Sequence, residues 1–318
     1  MNTVASSASS SPELSAVPLT GRRLVRVAGV DGVRFLQGLV THDVTLVAPD
    51  RSIYAALLTP QGKVLHDFFI VADPGPDVAD GAVLLDVEAV GVADLLERLR
   101  RYRLRAKVTL EDVTSFFGSW ALMAGDNADV AASAVALPVM PGATAAFAAG
   151  GVAFVDPRLA ALGVRLLVPR NTAAAALAAV GAGPGTYADY DRHRLALGVP
   201  EGQQDLAAEP TLALEGNLDA LNAISWTKGC YVGQEVTART RYRGLVRRRL
   251  RPVQVLGGLP EPGTPVRQGD SEVGVIRSGV DGVALALLRL DIADPRVAPL
   301  TAGSATVSPL EPGWTVPA

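Results

Sequence analysis

A single cysteine, Cys230, stands in 318 residues. That excludes an intramolecular disulfide, and it excludes a cluster held by four cysteines of one chain. Any cluster bound here would need ligands from a partner, a shared dimer site or a transient thiol. Histidine is almost as scarce. His42, His66 and His193 are too scattered to read as a metal site, so no stable metal of the chain's own is expected. No run of eighteen apolar residues occurs, and neither a transmembrane helix nor a membrane partner is expected. There is no excess of basic charge: 29 Lys and Arg against 32 Asp and Glu give a net charge of −3, which weighs against a general polyanion binder. No basic residue precedes Arg22 in a start rich in Ser, Ala and Pro. It has neither the charged start and apolar core of a secretory signal nor the scattered arginines of a transit peptide. Residues 1–18 read as a disordered tail, and the protein as cytoplasmic.

What is present is enough chain for about two domains, or three small ones, with ample core. Alternation from Arg23 to Val27 marks a strand, and Asp31 is placed to cap a helix running to about Leu39 with Phe35, Leu36, Leu39 and Val40 inward. Tyr54 to Leu58 and Val64 to Ala72 read as strands joined by the turn Thr59-Pro60-Gln61-Gly62-Lys63. Val83 to Val87 is a further strand. Val92, Leu95, Leu96, Leu99 and Tyr102 recur at helical spacing, and Arg105 to Leu110 returns as a strand. Hairpins mixed with crossovers favour an α+β fold over a doubly wound sheet. Between Phe116 and Gly183 lie strands near Trp120, Val152 and Val164 and two alanine-rich helices, the second capped by Asn171. A helix from about Thr186 ends at Gly198, and Gly202 to Ser225 reads as irregular. Short strands from Leu250 onward, separated by Gly, Pro and Asp turns, suggest a small barrel or sandwich.

The chemistry concentrates at Lys228-Gly229-Cys230-Tyr231-Val232-Gly233-Gln234-Glu235, followed by Arg239. Gly229 and Gly233 suggest a tight, shaped loop, and Gln234 opens a helix in which Glu235 pairs with Arg239 at i,i+4. A thiol just before a helix N-terminus and two residues after Lys228 has the setting of a reactive thiolate. The competing reading is a small buried hydrophobe. A loop this poor in apolar residues favours an accessible Cys230 with Tyr231 packed inward as the anchor. Seven arginines follow in thirteen residues: Arg239, Arg241, Arg243, Arg247, Arg248, Arg249 and Arg251. They offer contacts to phosphate or to a polyglutamate tail, or else form a solvated helix end leading into an exposed strand.

The run KGCYVGQEVTAR with the following RYRG resembles the signature of the YgfZ family, folate-binding proteins related to the aminomethyltransferase (T-protein) of the glycine cleavage system. The family includes mitochondrial proteins that help mature iron–sulfur enzymes. The blocks Gly29-Val30-Asp31…Phe35-Leu36-Gln37-Gly38, Thr59-Pro60-Gln61-Gly62-Lys63 and Arg101-Tyr102…Arg105-Ala106-Lys107 are similar to T-protein blocks, so the resemblance covers most of the chain. It implies a T-protein-like α+β body over residues 19–244 in two subdomains and a C-terminal β-barrel over 245–318. It implies tetrahydrofolate as cofactor, iron–sulfur enzymes or assembly proteins as partners, and an indirect link to tRNA methylthiolation.

For site residues, the resemblance points to Asp67, whose neighbour His66 stands where the T-protein has a second carboxylate. It points also to Tyr190 and Arg22 at positions that line the folate pocket in relatives. With the signature loop, Asp67 and Tyr190 are expected to line a central cleft. Arg194-Leu195-Ala196-Leu197-Gly198 sets Ala196 where the T-protein has the glutamate that holds the pterin. Three functions compete: a cluster-assembly or repair factor, a folate-dependent aminomethyl transferase, and a tRNA-contacting modification factor. His66 and Ala196 count against the second, and the net charge against the third.

Overall fold

The computed structural model describes residues 14–75, 81–148, 150–206 and 211–314. The chain opens with β1 (Ser15–Pro18), β2 (Arg22–Ala28), α1 (Gly32–Gln37), the hairpin β3 (Ile53–Leu58) and β4 (Val64–Ala72), then β5 (Val83–Glu88), α2 (Val92–Arg103) and β6 (Thr109–Asp112). Next come β7 (Phe117–Met123), α3 (Ala128–Ala134), β8 (Thr144–Phe147), β9 (Gly151–Val155), β10 (Val164–Pro169), α4 (Ala173–Ala179), β11 (Gly183–Pro184), α5 (Tyr187–Ala196) and α6 (Gly202–Leu206). Past the signature lie α7 (Gln234–Tyr242), β12 (Arg248–Leu256), β13 (Pro265–Gln268), β14 (Ser271–Val280), β15 (Val283–Arg289), β16 (Leu300–Ala302) and β17 (Ala305–Pro309).

Among the described residues these strands form a five-stranded sheet, β3-β4-β5-β2-β6, a six-stranded sheet, β11-β1-β7-β10-β9-β8, and a closed barrel, β12-β15-β14-β13-β16-β17. The α+β class and the terminal barrel are as expected. Period-2 alternation explains how one sheet serves two cores. Val25, Val27, Leu85 and Phe68 face α1 and α2, packing on Leu36, Leu95 and Leu99. Leu24, Leu84 and Phe69 face the other way, into a core shared with Phe154 and Leu167 of the second sheet and Leu250 and Leu287 of the barrel. All three units therefore meet in one hydrophobic cluster.

Several expectations need correction. The tail ends sooner than residue 18: β1 lies inside the six-stranded sheet, antiparallel to β7 and parallel to β11, with Val17 wholly buried. Its partners lie more than a hundred residues away, and four residues carry too little pattern of their own. The rest of the expected tail falls outside the described residues. Asp31 stands at the N-cap of α1 as expected, its carbonyl accepting the Phe35 N–H, but its carboxylate caps no N–H of the helix and accepts from the Lys107 amide. Tyr102 is 44% exposed: α2 ends one residue later at Arg103, and the positive φ of Leu104 turns the chain away. The strand expected at Arg105 begins only at Thr109, after a turn closed by the Ala106 N–H on Arg103 O. Thr172 rather than Asn171 stands at the start of α4. The stretch expected to be irregular opens with α6, which buries Asp205 and Leu206.

The burial of Asp205 belongs to a charged network at the junction. Arg194 on α5 donates to Asp205 at 2.6 Å, to Val199 O at 3.1 Å and, more weakly, to Ser278 Oγ of the barrel at 3.5 Å, while Ser278 Oγ donates to Asp205 at 2.6 Å. Burial works against the Arg194 charge, but Asp205, Glu201 and Asp191 outweigh it and raise the pKa. Removing one member of a buried pair strands the other. Arg194→Met is expected to lower the unfolding free energy by about 3–5 kcal/mol in urea denaturation. A loss below about 1 kcal/mol, the scale of an exposed pair, would show that α5, α6 and the barrel do not depend on it.

Candidate functional site

The signature loop is built by what its neighbours hold. Gly233 has φ +84°, and a Cβ there would sit 2.5 Å from Thr59 O, so the loop lies against the turn of the β3–β4 hairpin only because this residue is glycine. Gly62 of that turn, φ +75°, meets Val236 and Thr237 of α7 in return. Gly229 has no such need, since a Cβ there meets nothing within 4 Å. Lys228 turns inward. Its ammonium donates to Val40 O at 2.6 Å and His42 O at 2.8 Å, and lies 5.3 Å from the Tyr231 ring centroid. Thr41, between those carbonyls, is tied to the same region: its hydroxyl donates to Ala223 O and accepts from the Ala56 amide, and its carbonyl accepts from the Ser225 amide.

Tyr231 is buried in the shared core, and Cys230 is exposed. This is the arrangement expected from the loop's composition. The ammonium of Lys228, expected to favour the thiolate, is spent on backbone carbonyls instead. Gln234 and Glu235 open α7 with Glu235 exposed in its first turn; Arg239 is exposed in its last, and neither makes an ion pair among the described residues. The expected Glu235–Arg239 bridge is therefore absent there.

Asp67, Tyr190 and Arg22 are brought together, but inside the protein rather than along a cleft. All three are buried. Asp67 accepts from the Tyr54 hydroxyl at 2.9 Å. The Tyr190 hydroxyl accepts from Arg165 at 2.6 Å and Arg158 at 3.2 Å, and Arg22 donates to Asp86 at 2.8 Å. The guanidiniums of Arg22, Arg158 and Arg165 lie 5.5, 5.0 and 4.1 Å from the centroid of the Phe69 ring, within cation–π range. Asp156 holds Arg158 and Arg165; burial pushes its carboxyl up, yet the two cations prevail and hold it at about 2. Glu201 completes the cluster, 3.6 Å from Arg22 and from Arg194. Where the cleft was expected, Asp67, Tyr190 and Arg22 are buried among arginines and their carboxylates, whereas Cys230 is exposed. His66 lies on β4 beside Asp67 and bonds Asp94 at 2.7 Å, its pKa lowered by burial. Ala196 is exposed at the end of α5.

Sequence reasoning passed over Tyr54, Arg158, Arg165 and Glu201. Arg165 offered a signal: a charge inside the apolar strand Val164-Arg165-Leu166-Leu167 implies a buried partner. The arginine run divides as well. Arg249 pairs with Asp219 at 2.9 Å, Arg248 with Glu215 at 3.0 Å and Arg251 with Glu311 at 3.6 Å, and Arg241 stacks 4.0 Å from the Trp226 ring centroid. Among the described residues no group of three His, Cys, Asp or Glu is disposed to hold a metal ion, and no helix is long and apolar enough to cross a membrane.

An α+β body with two open sheets and a terminal barrel is the architecture of glycine-cleavage T-proteins. The crystal structure of the aminomethyltransferase T of Bartonella henselae superposes with a TM-score of 0.70 over 94% of this chain and 85% of that one, at 15% identity, which shows the fold alone. Residues 247–317 match the C-terminal β-barrel domain of CAF17. The human mitochondrial iron–sulfur cluster assembly factor IBA57 is 37% identical over 283 residues, spanning 85% of this chain and 76% of the human one. The Neurospora crassa homolog is 34% identical over 258 residues, 76% of this chain but only 54% of the fungal one. The chain belongs to the IBA57 family of iron–sulfur cluster assembly factors. The cytoplasmic location expected above is overturned by these relatives: the human, mouse and Neurospora proteins are mitochondrial. Location is set by signals that receptors read and leaves no trace in the folded body, so composition did not fix it.

The Lys228 clamp has a pH signature. Burial lowers the ammonium from 10.5 to about 8. The unfolded chain therefore binds more protons than the folded one between those values, and this group's contribution to stability rises with pH through that window and is lost as pH falls through 8. Urea denaturation of the parent chain and Lys228→Met at pH 7 and pH 10 is expected to show the parent gaining on the variant at the higher pH. Equal shifts in the two proteins would contradict the clamp.

Proposed function

We propose that the chain supports iron–sulfur cluster assembly or repair through the Cys230 loop, in the manner that the names of its relatives describe for them. The observation that supports this most is the exposure of Cys230 on a loop whose backbone is pinned on both sides, by Lys228 and Tyr231 before α7 and by Gly233 against the hairpin. A thiolate is the softest cluster ligand a protein offers, and a pinned loop presents it with little ordering cost. One cysteine supplies one ligand, so the remaining ligands come from a partner that assembles or receives the cluster. The cluster is cargo here. A link to tRNA methylthiolation follows only through a modifying enzyme that needs its own cluster.

Tetrahydrofolate is the second reading, and the geometry speaks against the simple form of it. Ala196 provides no acceptor for a pterin edge, Asp67 is engaged by Tyr54, and the Tyr190 hydroxyl by two arginines. A single donor, Arg165 Nη1, is buried without a hydrogen-bond partner there, too little to match a pterin's several polar atoms. The residues present do not fit the cofactor as the resemblance implied. No aminomethyl transfer is derived from them.

The test is complementation of cells that lack their own homologue, reading out the activity of cluster-dependent enzymes. The chain is expected to restore activity, Asp67→Asn to restore it as well, and Cys230→Ser to fail while accumulating to the same level. Full rescue by Cys230→Ser would end the thiol reading. Rescue lost in Asp67→Asn alone, at equal protein level, would return the function to the buried pocket.

A further inference from the structure

A lone thiol needs a partner, and the surface beside it has a defined chemistry. From the Cys230 loop, α7 runs for nine residues, about 14 Å, and delivers the chain to a groove between the body and the barrel. That groove, of about 650 Å³, is lined by Leu212, Leu245, Val246, Leu290 and Arg247 together with two ion pairs. The pairs are Arg248 with Glu215 and Arg289 with Asp291, the latter at 2.7 Å. Leu245 and Leu290 are exposed, 46% and 49%, and Tyr242, at the end of α7 just before Leu245 in the chain, is 76% exposed.

The charge at this place is positive in a chain whose net charge is −3. Arg239 and Arg243 are exposed, and among the described residues their side chains make no ion pair or hydrogen bond. The acidic neighbour that acts on Arg247, Asp291, is already held by Arg289. Glu235 is the acidic group of α7 itself, and it sits at the opposite end of the helix from Arg243. Aliphatic walls, an exposed tyrosine and unpaired arginines are the composition of a protein interface rather than of a solvated face.

We propose that this groove docks an acidic, apolar-tipped segment of the protein that completes the cluster ligands at Cys230. The proposal rests on the cluster-assembly reading above and adds the partner's chemistry to it. Apolar side chains of the segment enter between Leu245 and Leu290, and its carboxylates meet Arg239, Arg243 and Arg247, which steer the encounter. RNA fits less well. Arg248, Arg249 and Arg251 are spent on carboxylates of the chain itself, and the walls are aliphatic.

The ligand for the test is a fluorescein-labelled peptide in which glutamates alternate with leucine and phenylalanine, titrated by anisotropy against the full chain. A peptide with lysines in place of the glutamates and an RNA hairpin serve as comparisons. Saturable binding of the acidic peptide is expected, weakened at least tenfold in Arg243→Glu/Arg247→Glu and in Leu245→Asp, and unchanged in Cys230→Ser. These three positions are exposed, and equal melting temperatures check that the variants fold. No saturable binding, binding indifferent to the groove variants, or displacement of the peptide by the RNA hairpin would overturn the proposal. Because peptide binding needs no thiol, its failure is separable from that of the cluster reading, which stands or falls on Cys230→Ser in the rescue assay.

Discussion

Buried guanidinium groups hold this molecule together. Arg22, Arg158, Arg165 and Arg194 occupy the junction of two sheets and a barrel, and each is paired with a buried carboxylate: Asp86, Asp156 for two of them, and Asp205. An ion pair out of water gains little net stability over a well-packed apolar pair, yet breaking it costs several kcal/mol. The junction is therefore intolerant of change. Asp67 and Tyr190 serve this packing, their polar atoms engaged by Tyr54, Arg158 and Arg165.

With its centre closed, the chain keeps its exposed chemistry at the edge of the β3–β4 hairpin. There the same economy is seen in reverse. Lys228 is buried, its pKa lowered by that burial, where its ammonium satisfies two backbone carbonyls; Tyr231 is driven into the core, and Cys230 is left facing solvent. The Tyr231 hydroxyl is pushed up to about 12 by burial, so this side chain anchors and does not titrate near neutrality. The residues around the thiol are fixers of backbone, and the thiol is the group they leave exposed.

Local features were legible in the sequence. The Thr59–Lys63 turn, the Leu95-Leu96-Leu99 stripe, the Thr186 start of α5 with its capping box and the barrel strands each carry their signal within a dozen residues. The inward Tyr231 and outward Cys230 followed from a loop too polar to bury. What escaped is non-local. Four residues of β1 become a strand only because β7 and β11 flank them. Arg165 is explained only by Asp156 and Tyr190, and Lys228 only by carbonyls some 186 residues earlier. A charge in a sequence announces that a partner exists without saying which one.

The central claim is that Cys230 is a solvent-facing thiol on a fixed loop. Alkylation by iodoacetamide at neutral pH, followed by intact mass, tests it directly. The account predicts one adduct on the native protein, formed at a rate close to that of the urea-unfolded chain. A native protein that resists the label until urea exposes the cysteine would contradict it.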